Sequence, residues 1–260
     1  MTKSYSRSTS ASPATSDSES DTDTEYSKRS SSEAPPQYSH LLAGFLNGLC
    51  GVCWSAAYVL YVLQARKDES AGMPLPALML NITWEFVYTF VYKLNGIGRL
   101  IHFPWVFIDG LLVVETLRFG PKAWVATSPI IAEYFVQIFC IGTLLALSAQ
   151  WTFANQFSRR NASFWSAYVC QNVLSWGSLW MLASAGQAGG HSMAIWWFRF
   201  IGSFAANLRY LYRVNVWPGK YGFLAGPFAM WILWMPCIAD LLYPFAYKFI
   251  VHAAYDIAQK

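Results

Sequence analysis

The sequence predicts an all-α protein: an integral membrane bundle of seven transmembrane helices with a disordered N-terminal tail. Three observations carry that expectation. The 260-residue chain is 55% hydrophobic and 18% aromatic, with only 12% charged residues, about half the charged fraction of a soluble domain. Its apolar residues gather into blocks of bilayer-spanning length between short polar connections. Lipid offers the backbone no hydrogen-bond partners, so such blocks must fold as helices that satisfy themselves.

The elements follow in chain order. Residues 1–34 hold seventeen Ser or Thr interleaved with Asp17, Glu19, Asp21, Asp23 and Glu25, a composition that buries no core and reads as disorder. Nothing in it resembles the apolar heart of a cleavable signal, so the first apolar block is expected to act as the targeting signal. We therefore take 1–40 as a Ser/Thr-rich tail and 41–255 as one membrane domain. Its spans are expected at 41–63, 75–92, 103–118, 128–147, 164–183, 194–211 and 223–247. The third begins at Pro104 and is interrupted by Asp109 and Glu115. Lys and Arg near the span ends number eight on the tail side and six on the other, which favours a cytosolic tail.

Charge and cysteine usage exclude some classes. The net charge of +4 is spread as basic pairs beside apolar blocks, flanks of membrane spans rather than a nucleic-acid-binding stripe. Cys50, Cys53, Cys140, Cys170 and Cys237 all lie in apolar blocks and read as small packing residues, not as a disulfide framework.

Five of the fourteen acidic residues fall inside apolar segments: Glu85, Asp109, Glu115, Glu133 and Asp240. At a helix centre in lipid each costs about 2.5 to 3.5 kcal/mol, so each needs a partner or a task. Asn81, Glu85, Tyr88 and Tyr92 recur at spacings of 4, 3 and 4, which places them on one helix face. Asp240 is followed by Tyr243 and Tyr247 and lies between Pro236 and Pro244. Asp109 reads equally as a site residue or as a structural partner. Glu115 is expected to pair with Arg118, and Glu133 to lie at the membrane interface. Trp165, Tyr168, Asn172, Trp176 and Trp180 form a stripe on the fifth span, while Trp105 and Trp217 read as interfacial belt residues.

Aromatic stripes are more often packing than binding surfaces. Combined with buried acids they suit carbocation chemistry, because π-faces stabilise a cation without acting as base or nucleophile. A neutral carboxylic acid delivers a proton to an epoxide or alkene, and a dry site keeps the resulting cation from water until rings close.

The run Asn81-x-x-Trp84-Glu85-Phe86-x-Tyr88, with Arg118-Phe119-Gly120, Trp124 and Asp240-x-x-Tyr243-Pro244, resembles the fungal membrane-bound terpene cyclases of meroterpenoid and indole-diterpene biosynthesis. The resemblance covers residues 41–255 and implies cyclisation of a prenylated precursor, with the acids matching Glu85 and Asp240 needed for the initiating protonation. The expected site therefore has Glu85 and Asp240 as catalytic acids meeting across one lipid-shielded cavity. Asn81, Trp84, Tyr88, Asp109, Asn172, Trp176 and Tyr243 are expected around the substrate and its cation. No Asp-rich metal motif occurs in any span, Asp21-Thr22-Asp23 lies in the tail, and no flavin or nicotinamide fingerprint occurs. No cofactor or metal is expected; the partners are a prenylated small molecule dissolved in the membrane and the bilayer itself, with no nucleic acid. The expected location is the endoplasmic reticulum, as a multi-pass protein.

The alternative is a seven-helix proton or solute transporter using intramembrane carboxylates. Such folds commonly carry internal repeats, and the two halves here show none. A retinal-binding version requires a Lys deep in the seventh span, whereas Lys248 lies at its edge. A non-catalytic scaffold leaves the buried acids unexplained.

A cytosolic tail places the sequon Asn161-Ala162-Ser163 on the cytosolic side, where it stays unmodified. Endoglycosidase treatment should leave the protein's gel mobility unchanged; a mobility shift that Asn161→Gln removes would reverse the orientation.

Overall fold

The computed structural model describes residues 38–92, 97–185 and 189–258. The expected disordered tail lies outside the described residues up to 37, and the first helix starts at Tyr38 rather than after residue 40. Seven principal helices follow: α1 (Tyr38–Asp68), α2 (Leu75–Phe86), α3 (Ile97–Phe119), α4 (Phe135–Gln156), α5 (Arg159–Ala185), α6 (Met193–Val216) and α7 (Pro227–Ala258). Short helices Pro129–Glu133 and Pro218–Tyr221 and the 3₁₀ turns Gly120–Trp124 and Gly222–Ala225 join them. No strand occurs among the described residues.

Local chemistry sets several boundaries. Ser192 caps α6 by accepting a hydrogen bond from the Ile195 amide at 3.3 Å. Prolines open α2, the short connectors and α7, where a missing N–H costs nothing. Asp68 closes the far end of α1 twice, accepting from Gln64 at 2.7 Å and from the Gly190 amide at 2.9 Å. Gly190 has φ +77 and packs so closely on Gly72 that a Cβ at position 72 would meet its carbonyl oxygen at 2.6 Å. Only glycine fits both demands.

Among the described residues, three helices are long and apolar enough to cross a membrane: Tyr38–Asp68, Phe135–Gln156 and the Pro227–Val251 part of α7. Leu75–Val91 is a shorter apolar helix. The outward faces are apolar as well. On α1, Leu41, Phe45, Val52, Val59 and Leu63 are exposed at helical spacing, and α4 exposes Val136, Ile141, Leu144, Leu145 and Trp151. A protein in water does not present contiguous apolar faces of this extent; a hydrocarbon solvent accounts for them.

Six helices form a closed ring by their packing neighbours: α1 against α6, α6 against α7, α7 against α5, α5 against α2, α2 against α3, and α3 back against α1. Helix α4 lies outside it against α2 and α5. The α1–α6 contact is the most extensive, and Gly202 allows it, since a Cβ there would meet Trp54 Cδ1 at 2.8 Å. Small residues permit close backbone approach in lipid.

Charged residues tie the ring. Arg199 of α6 and Asp240 of α7 form an ion pair of 2.6 Å, each side chain 1% exposed, and Arg199 also donates to Tyr61 and Ser178 at 2.9 Å. Arg66 of α1 pairs with Glu115 of α3 at 2.6 Å, replacing the expected Glu115–Arg118 pair; the Arg118 guanidinium instead lies 4.9 Å from the centroid of Phe119. Removing one partner of a buried pair strands the other charge, at a cost of about 3–5 kcal/mol. Asp240→Asn and Arg199→Met should each lower the yield of folded protein in detergent, and Arg199→Met/Asp240→Leu should recover most of it. Size-exclusion recovery after a heat step measures this, and wild-type-like recovery of both single variants would contradict the account.

Candidate active site

A cavity of about 910 Å³ opens between α1, α2, α3, α5 and α6, at the upper end of the range for small-molecule sites. The chain supplies it with a polar end and an aromatic wall. Glu85 enters from α2 with Asn81 one turn before it and Trp84 beside it, all three lining the cavity. Directly after Phe86 the helix widens into a π turn over Val87–Val91, closed by the Tyr92 amide on the Val87 carbonyl at 2.9 Å. Such turns are frequent at functional sites.

Glu85 is 1% exposed, and neither of its carboxyl oxygens has a hydrogen-bond partner. Its polar neighbours are Tyr58 of α1 and Asp109 of α3. Asn81 organises these two, donating to the Tyr58 hydroxyl and to Asp109 Oδ2 at 3.1 Å. Since the Tyr58 oxygen accepts from Asn81, its own proton remains available to Glu85. Asp109 is fully buried behind Asn81 and does not line the cavity.

Aromatic rings form the wall around this end. Trp54 and Tyr58 lie 5.4 Å apart between centroids, and Tyr58 meets Trp105 edge-on at 5.7 Å. His102 bridges Trp84 at 5.1 Å and Trp105 at 5.0 Å. The Trp105 indole is fixed by a 2.8 Å hydrogen bond to Ser55 Oγ. Trp105 is therefore a wall residue, 8% exposed, rather than the expected belt residue, and Trp217 lines the cavity beside His40, 5.0 Å between ring centroids. Rings at these spacings present π-faces and edges to whatever fills the space, a setting that favours cations.

The structure does not bring the other expected residues to this cavity. Asp240 is held by Arg199 at 2.6 Å between α6 and α7, so the expected meeting of Glu85 and Asp240 across one cavity is corrected: the unforeseen Arg199 claims Asp240, and α7 lies behind α5 and α6. Tyr243 bonds His191 Nδ1 through its hydroxyl at 2.9 Å and carries the Arg199 guanidinium 5.5 Å from its ring centroid. Asn172 donates to the carbonyls of Tyr168 at 2.8 Å and Ile232 at 2.9 Å, clamping α5 to α7. Trp176 is 41% exposed on the outer face. Tyr88 is buried with its hydroxyl 3.2 Å from that of Ser166 and its ring against Trp84 at 5.1 Å, and it does not line the cavity, whereas Tyr92, beyond the π turn, does.

Sequence reasoning missed Trp54, Tyr58 and His102, and also Arg199 and Arg209. The two arginines had a signal. They stand inside the expected sixth span, as costly there as the acids.

A buried acid at one end of an aromatic-walled cavity, within a helical protein with apolar outer faces, fits the class of enzymes that generate and shield carbocations. Family comparison agrees: the description "Pyr4-like transmembrane terpene cyclases" matches residues 30–253, and the chain belongs to that family. It is 32% identical to terpene cyclase macJ of Penicillium terrestre, covering 86% of this chain and 88% of the relative. It is 34% identical to the Pyr4-family terpene cyclase mfmH of Annulohypoxylon moriforme, over 82% and 88% respectively. Terpene cyclase penB of Penicillium crustosum is 32% identical over 84% and 91%. The protein is thus a membrane enzyme of terpene cyclisation.

The Trp105–Ser55 bond and the Tyr58 edge contact make Trp105 a rigid part of the wall. Trp105→Leu should lower cyclisation about tenfold, in line with the loss of a desolvated cation–π contact, and should add prematurely quenched, partly cyclised products to the extract. An unchanged product profile by mass spectrometry would remove Trp105 from the site.

Proposed function

We propose that Glu85 is the general acid of a cofactor-free cyclisation, protonating an epoxide oxygen or an alkene of a prenylated precursor held in the cavity. One observation carries this. Among the described residues, Glu85 alone has both carboxyl oxygens buried and without a partner, whereas the other buried acids are each spent on Arg66, Asn81 or Arg199.

The chemistry follows from the neighbours. Tyr58 and Asp109 are the polar neighbours of Glu85, and a carboxyl with neither oxygen partnered in a dry setting is the group that can hold a transferable proton. Asn81 fixes Tyr58 beside Glu85, leaving the Tyr58 hydroxyl proton free to turn toward that carboxyl. Transfer from the Glu85 oxygen to the epoxide breaks the C–O bond and leaves a carbon cation; the chain's own alkenes attack it in turn, and loss of a proton from the last cation balances the step. No electron is gained or lost, so the reaction needs no redox partner. The rings of Trp54, Tyr58, Trp84 and Trp105 stabilise the moving charge, and the closed wall delays capture by water. Asp240 contributes through Arg199 as a positioning residue that fixes α6 against α7.

The same reading places the protein as a seven-span, multi-pass protein of the endoplasmic reticulum, drawing its prenylated substrate from the bilayer. The seven principal helices and their apolar outer faces support it. Relatives named terpene cyclases over more than four-fifths of their length support the reaction.

Glu85→Gln keeps the shape and removes the transferable proton. Cyclised product from epoxidised prenyl precursors in microsomes should fall by about 10² to 10⁴-fold at unchanged protein level. Full activity in this variant would end the proposal.

A further inference from the structure

The cavity has a second end that protonation does not use. Along α1 its lining runs from His40 through Asn47 to Tyr58. Tyr58 marks the Glu85 end, because Asn81 bonds it; Asn47 marks the other, because it accepts a hydrogen bond from Arg209. Eleven residues at 1.5 Å separate the two levels by about 16 Å, room for an extended prenyl chain.

Around the Arg209 end the lining is cationic. Arg209 and Arg213 enter from α6 one turn apart, with Arg160 and Lys220 at the rim. Glu85 is the sole acid lining the cavity among the described residues, and none of these four cations is in an ion pair there. They rest instead on aromatic rings: Arg209 on Tyr210 at 4.8 Å, and Arg213, Arg160 and Lys220 around Tyr221 at 5.2, 5.3 and 5.9 Å. Arginines that merely flank a span snorkel outward to the headgroups. Arg209 does not, since it is bonded into the wall at Asn47 and its Nε is buried without a partner. A half-buried guanidinium whose Nε is buried without a partner, with no acid near it among the described residues that line the cavity, is suited to receive an oxyanion.

We propose that the Arg209–Arg213 end of the cavity binds the acidic head of the substrate: an aromatic or enolic hydroxyl that becomes an oxyanion when bound. Anchored there, the head leaves the far end of its prenyl chain at Glu85, so one site both selects for an ionisable head and sets which double bond or epoxide meets the acid. This rests on the cyclase reading above.

The test uses the full-length protein in nanodiscs of zwitterionic lipid, with an epoxidised prenylated phenol and its methyl ether as matched substrates. The wild type should favour the phenol in kcat/KM by about tenfold or more, the worth of one charge-assisted hydrogen bond, and that preference should grow as pH rises toward ionisation of the head. Arg209→Gln should collapse the phenol-to-ether ratio toward one, mainly through KM for the phenol; Arg209→Lys should restore part of it, and Arg213→Gln should reduce it. Equal use of both substrates by the wild type, or an unchanged ratio in well-folded Arg209→Gln and Arg213→Gln, would overturn the subsite. Rates that follow added anionic phospholipid rather than the substrate's head would assign the cations to lipid headgroups and overturn it too. Failure of the wild type on both substrates, or full turnover by Glu85→Gln, would instead defeat the cyclase reading beneath it.

Discussion

A polar group in hydrocarbon must find a partner or be kept for a purpose, and the structure is arranged around that constraint. Asp240 takes Arg199, Glu115 takes Arg66, and Asp109 takes the Asn81 amide. Each pairing also joins two helices, so satisfying the charges and closing the ring are one event. Glu85 is left over, with both oxygens buried and unmatched. An unsatisfied carboxyl is expensive in a low-dielectric interior, and its persistence beside an aromatic cavity points to use rather than to structure.

The geometry separates two jobs that the sequence runs together. A buried acid between two prolines and two tyrosines reads as a proton donor as readily as Glu85 does, and nothing local distinguishes them. What distinguishes them is the residue across the helix interface, forty-one positions away in the case of Arg199. Loss of Asp240 alone strands the Arg199 charge, and an activity assay alone would confuse the resulting misfolding with lost chemistry. A buried ion pair of this kind contributes specificity of assembly as much as net stability, fixing how α7 seats against α6 behind the cavity wall.

Much of the architecture was legible from block length and composition. The seven apolar blocks correspond to the seven principal helices, because a chain this poor in charge has few other ways to satisfy its backbone. Three of those helices meet the length and apolarity of a membrane span by themselves; in the others charges and small polar residues dilute the apolar signal, and several of these, such as Arg199, Ser178 and Asn207, point inward. That Asn81, Glu85 and Tyr92 share the cavity was legible from helical spacing, and Trp84 from the family resemblance. The turning of Tyr88 away from the cavity was not, since its Ser166 partner stands seventy-eight residues away. Trp105 was misread because its nearness to a span end looked interfacial, while its Ser55 partner stands fifty residues away. Cavity walls built from five helices cannot be recovered from the periodicity of any one of them.

The most direct test is an experimental structure with an unreactive prenyl analogue bearing a hydroxyl in place of the epoxide. The account predicts that hydroxyl within about 2.6 to 3.2 Å of a Glu85 carboxyl oxygen, the reach of proton transfer, with the chain running between the rings of Trp54, Trp84 and Trp105. An analogue seated instead against Asp240, with its oxygen remote from Glu85, would contradict it.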